Sequence, residues 1–398
     1  MSEKVTSQLY GLNLTITEKC NLNCKHCGAN GVCSSFNNNI DEELTTSEYY
    51  SVIRQSSELG CKHIIIAGGE PFLRNDIWDI IEYASDYGIS CAILSNGSLI
   101  DEQVAKRLGR INNISYIRLS VDYATDEKMD AFRGMKGLKT KVFESVRLLR
   151  SCDVKTGVGM TIMDDNLDDI LQLAKLANES GANFFRAVPI MPIGKSKNIK
   201  VDKQFFIESL KQVLYVAEEF QDLYFSTVIL PDDLSEVGQT FLIGCPGGDR
   251  MASLTSNGSV SRCPLSGIFN NKDTVRNKPL KNLLQQLYNE KRNYVSTIEN
   301  NPENNCFNCG KKDICHGGCL AEREARQLSS SENQPFCIKE IWESTFKVIR
   351  NEPKLRRVVN NMVCLHATQN MYKIPTCYRS LPIWWFPFSG KVKEHSFK

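Results

Sequence analysis

The chain has 398 residues, 41% hydrophobic and 24% charged, which is enough for one large domain and a second, smaller one. Its 48 lysines and arginines nearly balance its 46 acidic residues, so the charge gives no reason to expect a nucleic-acid partner or attachment to a membrane. No apolar run reaches the roughly 20 residues of a membrane helix, and the N-terminus has no apolar secretory segment, so we expect a cytoplasmic protein.

Strands and helices alternate along the first half of the chain. Short apolar runs rich in β-branched residues predict strands, and segments with apolar residues three and four apart predict helices. The predicted strands are 12–17, 61–67, 90–94, 114–121, 157–163 and 183–188, and the predicted helices are 45–60, 75–87, 101–109, 138–151, 166–180 and 202–220. This alternation predicts an α/β fold with a parallel sheet and right-handed crossovers.

Four polar motifs follow predicted strands. They are a cysteine loop at 20–27, Gly-Gly-Glu-Pro at 68–71, Ser-Asn-Gly at 95–97 and Ser-Val-Asp at 120–122. Parallel strands end at the same edge of a sheet, and α/β proteins place their chemistry there. We therefore expect the four motifs to share one site.

Cysteine is the outlier in the composition, with 16 residues. In a chain without an export signal, clustered cysteines indicate metal or redox ligands rather than disulfides. Cys20, Cys24 and Cys27 follow the first strand at the spacing C-x3-C-x2-C. Thiolates this close in sequence can bind one iron–sulfur cubane and leave its fourth iron without a protein ligand. A zinc site completed by His26 or Cys33 is the alternative that the spacing leaves open.

The pattern changes in the second half of the chain. From residue 245 the helical periodicity weakens, while glycine, asparagine, proline and cysteine increase, and aliphatic residues are too few for a large separate core. Metal ligation would therefore have to help stabilise this region. It holds seven cysteines, at positions 245, 263, 306, 309, 315, 319 and 337. These spacings are also compatible with a zinc-ribbon-like structural domain.

The cysteine loop and Gly-Gly-Glu-Pro together resemble the radical S-adenosylmethionine superfamily, over about residues 12–220. The resemblance implies a partial (β/α)6 TIM-like barrel in which Cys20, Cys24 and Cys27 hold a 4Fe–4S cluster. It also implies that the amino and carboxylate groups of S-adenosylmethionine chelate the open iron. One electron would then cleave the cofactor to methionine and a 5′-deoxyadenosyl radical. His26 occupies a position that is usually aromatic in this family.

The same resemblance implies cofactor contacts at the next two strand ends. Gly68 and Gly69 would let the backbone approach the methionine part closely, and the Glu70 carboxylate would bind its ammonium group. Ser95 and Asn96 would contact the polar edges of the cofactor. An ordinary turn after a strand is the alternative for the glycine motif.

Further along the chain, Ser120 and Arg133 resemble the carboxylate and ribose contacts of the family. A strand-end cap and a surface arginine are the alternatives. For Asp122, the sequence does not choose between a supporting role and a contact with the substrate.

Attached to such a barrel, the seven later cysteines resemble the family's SPASM extension, which holds two auxiliary iron–sulfur clusters. The resemblance divides them into a distal and a nearer set: Cys306, Cys309, Cys315 and Cys337 for the distal cluster, and Cys245, Cys263 and Cys319 for the nearer one. The nearer set lacks a fourth cysteine. Asp249, Cys364 or Cys377 would complete it, or the site is open to a substrate group.

These features together predict five segments. They are an N-terminal segment 1–11, the barrel 12–220, a bridging segment 221–244, a small irregular cysteine-rich cluster domain 245–345, and a C-terminal helix with an aromatic tail 346–398.

The function implied by the resemblance is oxidative modification of a peptide, by removal of hydrogen from an unactivated carbon. The first strand begins at residue 12, so we expect no fused peptide-binding domain, and hence either a separate peptide-recognition protein or a small-molecule substrate. A flavodoxin or ferredoxin-type protein would supply the electron. Haem-precursor modification shares the architecture. Sulfatase maturation is disfavoured, because Pro264 stands where those enzymes usually have an aspartate. A structural iron–sulfur or zinc protein is the alternative without catalysis.

Overall fold

The fold is taken from a computed structural model, which describes residues 9–28, 43–199, 201–220, 223–226, 247–266, 273–310, 312–334, 337, 340 and 344. Several positions singled out above lie outside the described residues: Cys33, Cys245, Cys364 and Cys377. The predicted C-terminal helix and aromatic tail, 346–398, also lie outside them.

A single nine-stranded sheet organises the described part of the chain. Its strands are β1 (Gly11–Thr15), β2 (His63–Ala67), β3 (Ser90–Ser95), β4 (Ile114–Ser120), β5 (Thr156–Ile162), β6 (Phe184–Pro189), β7 (Tyr224–Ser226), β8 (Met251–Leu254) and β9 (Val260–Ser261). The order across the sheet is β7-β6-β5-β4-β3-β2-β1-β8-β9. All neighbouring pairs are parallel except β8 and β9. The predicted alternation and parallel sheet are confirmed, and the barrel is partial because the sheet does not close.

The described residues also form ten α-helices, most of which pack on the outer face of this sheet. They are α1 (Thr46–Glu58), α2 (Ile77–Asp86), α3 (Glu102–Gly109), α4 (Asp126–Arg133), α5 (Leu138–Ser151), α6 (Asp169–Glu179), α7 (Lys203–Glu219), α8 (Leu280–Glu299), α9 (Lys312–Cys315) and α10 (Leu320–Ala325). Among the described residues, no helix is both long and apolar enough to cross a membrane.

Alternate strand residues separate the two faces of the sheet. One set packs beneath the helices in the main core and includes Leu12, Ile64, Ile93 and Ile117, all at most 1% exposed. The other set faces the concave interior of the partial barrel and is smaller or more polar. The interior is therefore the side on which a ligand would enter.

The cysteine-rich half of the chain contributes directly to this sheet. β8 pairs in parallel with β1, with Gly11 opposite Met251. The expectation of weak helical periodicity after residue 245 is wrong for α8, a helix of 20 residues. Its leucines at 280, 283, 284 and 287 belong to the main hydrophobic core. Part of the cysteine-rich half is thus stabilised by apolar burial and sheet pairing, besides any metal it binds.

Candidate active site

The cysteine loop follows β1 and is tied by its backbone to two neighbouring elements. The amides of Gly69 and Glu70 donate to the Thr17 and Lys19 carbonyls, at 2.8 and 2.7 Å. On the other side, the Lys25 amide donates to the carbonyl of Phe132 at 3.0 Å, and the Asn23 amide donates to that of Arg133 at 3.2 Å. The loop therefore lies between the end of β2 and the end of α4.

Gly68 and Gly69 are needed because the cysteine loop passes directly over them. A Cβ on Gly69 would lie 2.1 Å from the carbonyl oxygen of Lys19, and a Cβ on Gly68 would lie 2.5 Å from that of Thr17. No side chain fits in that space. The prediction that these glycines make room for a cofactor stays a prediction, and in the structure the close approach is made by the loop backbone.

The three thiols of the loop are accessible to different degrees. Cys20 is exposed, while Cys24 and Cys27 are partly buried. Burial raises the pKa of Cys24, and the guanidinium of Arg133 opposes that rise. Its Nη1 lies 4.0 Å from the Cys24 sulfur. A cation beside the sulfur favours the thiolate, which is the form that binds metal.

Glu70 is fully buried and held by donors from three directions. Its carboxylate accepts from the Ser95 hydroxyl at 2.9 Å, from the Asn96 amide at 2.8 Å and from the Phe72 amide at 3.3 Å. Burial raises the pKa of Glu70, and these hydrogen bonds oppose the rise. The carboxylate therefore connects the ends of β2 and β3, with lone pairs remaining for a further donor.

Asn96 extends this network to the cysteine loop. Its Nδ2 donates to Asn21 Oδ1 at 2.9 Å, and Asn21 Nδ2 donates to the Ser98 hydroxyl at 2.8 Å. The sequence reading missed Asn21, although its place between Cys20 and Cys24 was a usable signal. Three of the four predicted motifs thus meet through side chains.

Asp122 and Arg133 form a buried ion pair behind the cysteine loop. Arg133 Nε and Nη2 donate to Asp122 Oδ2 at 2.8 and 2.6 Å. Asp122 Oδ1 accepts from the Thr161 amide at 3.0 Å. Burial lowers the pKa of Arg133, but Asp122 and the neighbouring thiol of Cys24 together raise it above its ordinary value. Asp122 therefore holds the Arg133 side chain in place, and two of the guanidinium nitrogens of Arg133 bind this carboxylate.

His26 lies against the same pair. Its ring stacks on Phe132 with centroids 4.8 Å apart, and its Nε2 is 3.8 Å from Asp122 Oδ2. Burial lowers the pKa of His26, with Asp122 opposing. Its Nδ1 is buried and has no hydrogen-bond partner among the described residues. A buried polar atom without a partner is costly, so this atom indicates that a further group belongs beside the loop.

Ser120 ends β4, opposite Gly159 in the sheet register, and is partly exposed at the edge beside Asp122. It is placed on the edge that carries the loop, as predicted. Its contact with a cofactor stays a prediction.

Four cysteines of the second constellation gather near one another. The pKa of Cys315 is raised to about 12, by burial first and then by the nearby thiols of Cys337, Cys306 and Cys309. The pKa of Cys306 is also raised, by burial first and then by the thiols of Cys337 and Cys309. These are the four thiols that the family resemblance assigns to the distal cluster, and that assignment stays a prediction.

The residues on either side of Cys263 contact α10, the helix that begins after Cys319. The Ser266 hydroxyl donates to Glu324 Oε2 at 2.7 Å, and Arg262 forms an ion pair with Glu324. Cys319 is the N-cap of the same helix. Asp249, one alternative fourth ligand, forms an ion pair with the buried Lys291.

Among the described residues, no three histidine, cysteine or acidic side chains are arranged to hold a single metal ion. Ligands of a four-iron cubane bind separate iron atoms, so they lie farther apart than the ligands of one ion. After burial, the nearby charge of Cys27 raises the pKa of Cys20 and of Cys24, which indicates that the three thiols lie close together. Their spacing in the fold is compatible with the larger cluster.

Comparison with known proteins agrees with this geometry. Residues 14–177 match the model of the Radical SAM superfamily. The AdoMet-dependent heme synthase of Methanosarcina barkeri is 25% identical over 343 residues, covering 81% of this chain and 94% of that protein. The mycofactocin maturase MftC of Mycolicibacterium smegmatis is 24% identical over 357 residues, covering 86% of both chains.

Among solved structures, Streptococcus suis SuiB shares this fold. Bound to S-adenosylmethionine, it gives a TM-score of 0.68 at 19% identity, covering 82% of this chain and 76% of SuiB. Bound to its precursor peptide SuiA, it gives a TM-score of 0.67 at 18% identity, covering 82% and 75%. The superfamily thus rests on the match of residues 14–177, and SuiB shows the shared fold.

Proposed function

Since the chain belongs to the radical S-adenosylmethionine superfamily, we propose that it is a peptide maturase that oxidatively modifies a carbon atom of its substrate. The observation that carries the proposal is the hydrogen-bonded edge itself, in which the cysteine loop is joined to Glu70, Asn96 and the carbonyl of Arg133. A structural iron–sulfur or zinc protein needs no such network beside its thiols.

The residues present suit the cofactors of the family. Cys20, Cys24 and Cys27 would hold a 4Fe–4S cluster, and the accessible edge would receive S-adenosylmethionine. The unpartnered Nδ1 of His26 lies in the same place. When bound, the two groups supply a 5′-deoxyadenosyl radical that takes hydrogen from an unactivated carbon.

The protein's own part in this chemistry is to fix positions before reaction. Asp122 holds Arg133 so that one guanidinium nitrogen faces Cys24. Glu70 and Asn96 hold the ends of β2 and β3 against the loop. We assign Gly68, Gly69, Glu70, Ser95, Asn96, Ser120 and Arg133 to cofactor binding.

For the C-terminal half, we propose two auxiliary 4Fe–4S clusters that accept the electron left on the substrate. One of them would be held by Cys306, Cys309, Cys315 and Cys337. The grouping is supported by the pKa values of Cys306 and Cys315, which neighbouring thiols of this set raise. The other would be held by three residues, Cys245, Cys263 and Cys319. Because Asp249 is engaged by Lys291, we favour an open position there over an aspartate ligand.

The substrate class rests on two relatives. MftC is a maturase by name, and SuiB binds a precursor peptide. We propose that this chain likewise acts on a peptide, with a separate recognition protein and a flavodoxin or ferredoxin-type reductant, in the cytoplasm. Haem-precursor modification is the second candidate, favoured by the match to heme synthases over 81% of the chain.

Anaerobic reconstitution tests the reaction class. With dithionite and S-adenosylmethionine, we expect 5′-deoxyadenosine to form, and about twelve irons per chain if three clusters assemble. Cys24→Ala should abolish 5′-deoxyadenosine formation and keep about eight irons. Full iron loading without cleavage of S-adenosylmethionine would refute an enzymatic function. Zinc in place of iron would support a purely structural role of the C-terminal half.

Mass spectrometry then separates the two substrate classes. The reconstituted enzyme is incubated either with short peptides encoded beside its gene or with Fe-coproporphyrin III. Loss of hydrogen or carbon dioxide from a peptide supports the maturase. Turnover of the porphyrin alone would replace it with the second candidate.

A further inference from the structure

Arg323 is a fully buried cation in the cysteine-rich half of the chain. It lies on α10, where its amide donates to the carbonyl of Cys319 at 3.1 Å, and its side chain is 0% exposed. A guanidinium has five N–H donors, and burying such donors without partners costs free energy. The partners of these donors therefore indicate what the side chain does.

Two of the donors bind the backbone of one loop. Arg323 Nη2 donates to the carbonyl of Ser329 at 2.7 Å and to that of Glu332 at 2.9 Å. These bonds hold the guanidinium in one orientation. The remaining donors are on Nε and Nη1, and both atoms are buried without a hydrogen-bond partner among the described residues. Three strong donors of a buried cation thus remain for another group.

Two acidic side chains lie on the same segments, but their carboxylates bind other donors. Glu322, beside Arg323 on α10, accepts from Gln334 Nε2 at 2.7 Å. Glu332 accepts from the Ser329 amide at 2.7 Å. Neither carboxylate satisfies Nε or Nη1 of the guanidinium.

A chain of buried contacts connects Arg323 with Cys306. The Glu332 carbonyl that binds Arg323 also accepts from Asn304 Nδ2 at 2.9 Å, and Asn304 Oδ1 accepts from the Cys306 amide at 3.0 Å. Leu320, on the same helix as Arg323, belongs to the small apolar cluster against which Cys306 packs. Burial raises the pKa of Cys306 most, and the charge of Arg323 opposes this rise. The guanidinium therefore lies beside the thiols assigned to the distal cluster.

We propose that Arg323 donates hydrogen bonds to the sulfur atoms of the distal auxiliary cluster and thereby raises its reduction potential. The inference rests on the proposed function, which assigns a 4Fe–4S cluster to Cys306, Cys309, Cys315 and Cys337. Charge and hydrogen bonds to the sulfurs both set the potential of such a cluster. Reduction adds one negative charge, so a cation with N–H donors beside the cluster stabilises the reduced form.

The surroundings strengthen this effect and exclude a diffusing anion as the partner. Arg323 is 0% exposed, so neither a substrate nor an ion from solution reaches its nitrogens. Where water is excluded, a charged donor interacts more strongly with its acceptor. The distal cluster is therefore a favourable acceptor in the proposed reaction, in which the substrate radical is oxidised and the cluster is reduced by one electron.

A redox titration followed by electron paramagnetic resonance tests the potential. It uses the Cys24→Ala protein, which lacks the cluster of the N-terminal loop, and adding Cys309→Ala identifies the signal of the distal cluster. Arg323→Met removes the donors and the charge and keeps most of the aliphatic stem. Arg292→Met, at an exposed position of α8, removes the same charge and is the control.

We expect the equilibrium constant for reduction of the distal cluster to fall at least tenfold in Arg323→Met, which is a shift of about 59 mV to more negative potential for one electron. In the control it should change less than twofold. Equal potentials in the two variants would mean that Arg323 only anchors the loop at Ser329 and Glu332, and would overturn the inference.

A second measurement needs no substitution of Arg323. In the Cys24→Ala protein containing ¹⁵N-labelled arginine, the reduced distal cluster should show hyperfine coupling to a guanidinium nitrogen. This coupling should disappear together with the cluster signal when Cys309→Ala is added. A distal signal without the coupling would contradict the hydrogen bonds, whether or not Arg323→Met folds.

Iron content separates this inference from the proposed function. Adding Cys309→Ala should lower the iron content of the Cys24→Ala protein from about eight to about four per chain. If no iron is lost, the auxiliary cluster fails and the inference fails with it. If the iron is lost but Arg323→Met leaves the potential unchanged, the cluster stands and only the role of Arg323 fails.

Discussion

The buried carboxylate of Asp122 lies at the centre of one part of the candidate site. It accepts from Arg133 and from the Thr161 amide, lies 3.8 Å from His26, and is fully buried. The sequence placed it correctly at a strand end but could not show its partner, because the arginine follows on a separate short helix.

We predict that Asp122→Asn lowers the free energy of unfolding by about 3–5 kcal/mol, since it leaves the buried Arg133 guanidinium without its counter-charge. Urea unfolding measures this loss. The matched control is Asp86→Asn, at an exposed position near the end of α2, which should change stability by less than about 0.5 kcal/mol. Equal stability of the two variants would contradict the prediction.

His63 predicts a pH dependence of stability. Burial lowers its pKa to about 4, whereas an unfolded histidine has a pKa of about 6.5. The unfolded chain therefore binds the proton more tightly. The contribution of His63 is fully present above about pH 6.5 and is lost as the pH falls towards 4, at about 1.4 kcal/mol per unit. Between pH 7.5 and 5, the wild type should lose about 2 kcal/mol more than His63→Gln in urea unfolding. Parallel losses in the two proteins would count against a neutral buried imidazole.

At the scale of elements, the sequence predicted the six alternating strands and helices well because their apolar periods are long and bounded by glycine or polar turns. It missed α4, whose eight residues are mostly charged. It missed α8, whose leucines at 280, 283, 284 and 287 have helical spacing but lie within a region otherwise rich in cysteine, glycine and asparagine. β8 could not be predicted, since its partner β1 is far away in the sequence.

The close contact between the cysteine loop and the end of β2 allows us to predict how Gly69→Ala affects iron binding and activity. The new methyl group would lie 2.1 Å from the Lys19 carbonyl oxygen, so the loop has to move. We expect the variant to lose the cluster of this loop, about four of about twelve irons, and to form no 5′-deoxyadenosine. Gly310→Ala is the control, since no atom lies within 4 Å of its Cβ. Normal iron loading of Gly69→Ala would show that the loop tolerates displacement.

At the scale of the whole molecule, the two halves of the chain share one hydrophobic core. Leu287 of α8 is 7% exposed and belongs to the same cluster as Leu12 of β1. The composition predicts a second region without a large core of its own, and the structure shows where the apolar residues of this region are buried. The leucines at 280, 283, 284 and 287 pack onto the barrel, whereas Val295, Ile298 and Leu320 form a small separate cluster.

We therefore predict that Leu287→Ala lowers the free energy of unfolding by about 2–4 kcal/mol and that barrel and C-terminal half unfold together. Calorimetry of the variant should give one transition, shifted to lower temperature. Tyr288→Ala, the neighbouring and partly exposed position on α8, should have the smaller effect. Two separate transitions, with only the second one shifted, would mean that the halves are independent.

The pairing of β1 with β8 also has a consequence for biosynthesis. The strand that leads into the cysteine loop is translated well before one of its two neighbours in the sheet, β8, which begins at Met251. Until that segment is made, β1 has an open edge, which invites pairing with other chains. A cluster assembled on Cys20, Cys24 and Cys27 would therefore meet a binding loop whose leading strand has both neighbours only after β8 has been translated.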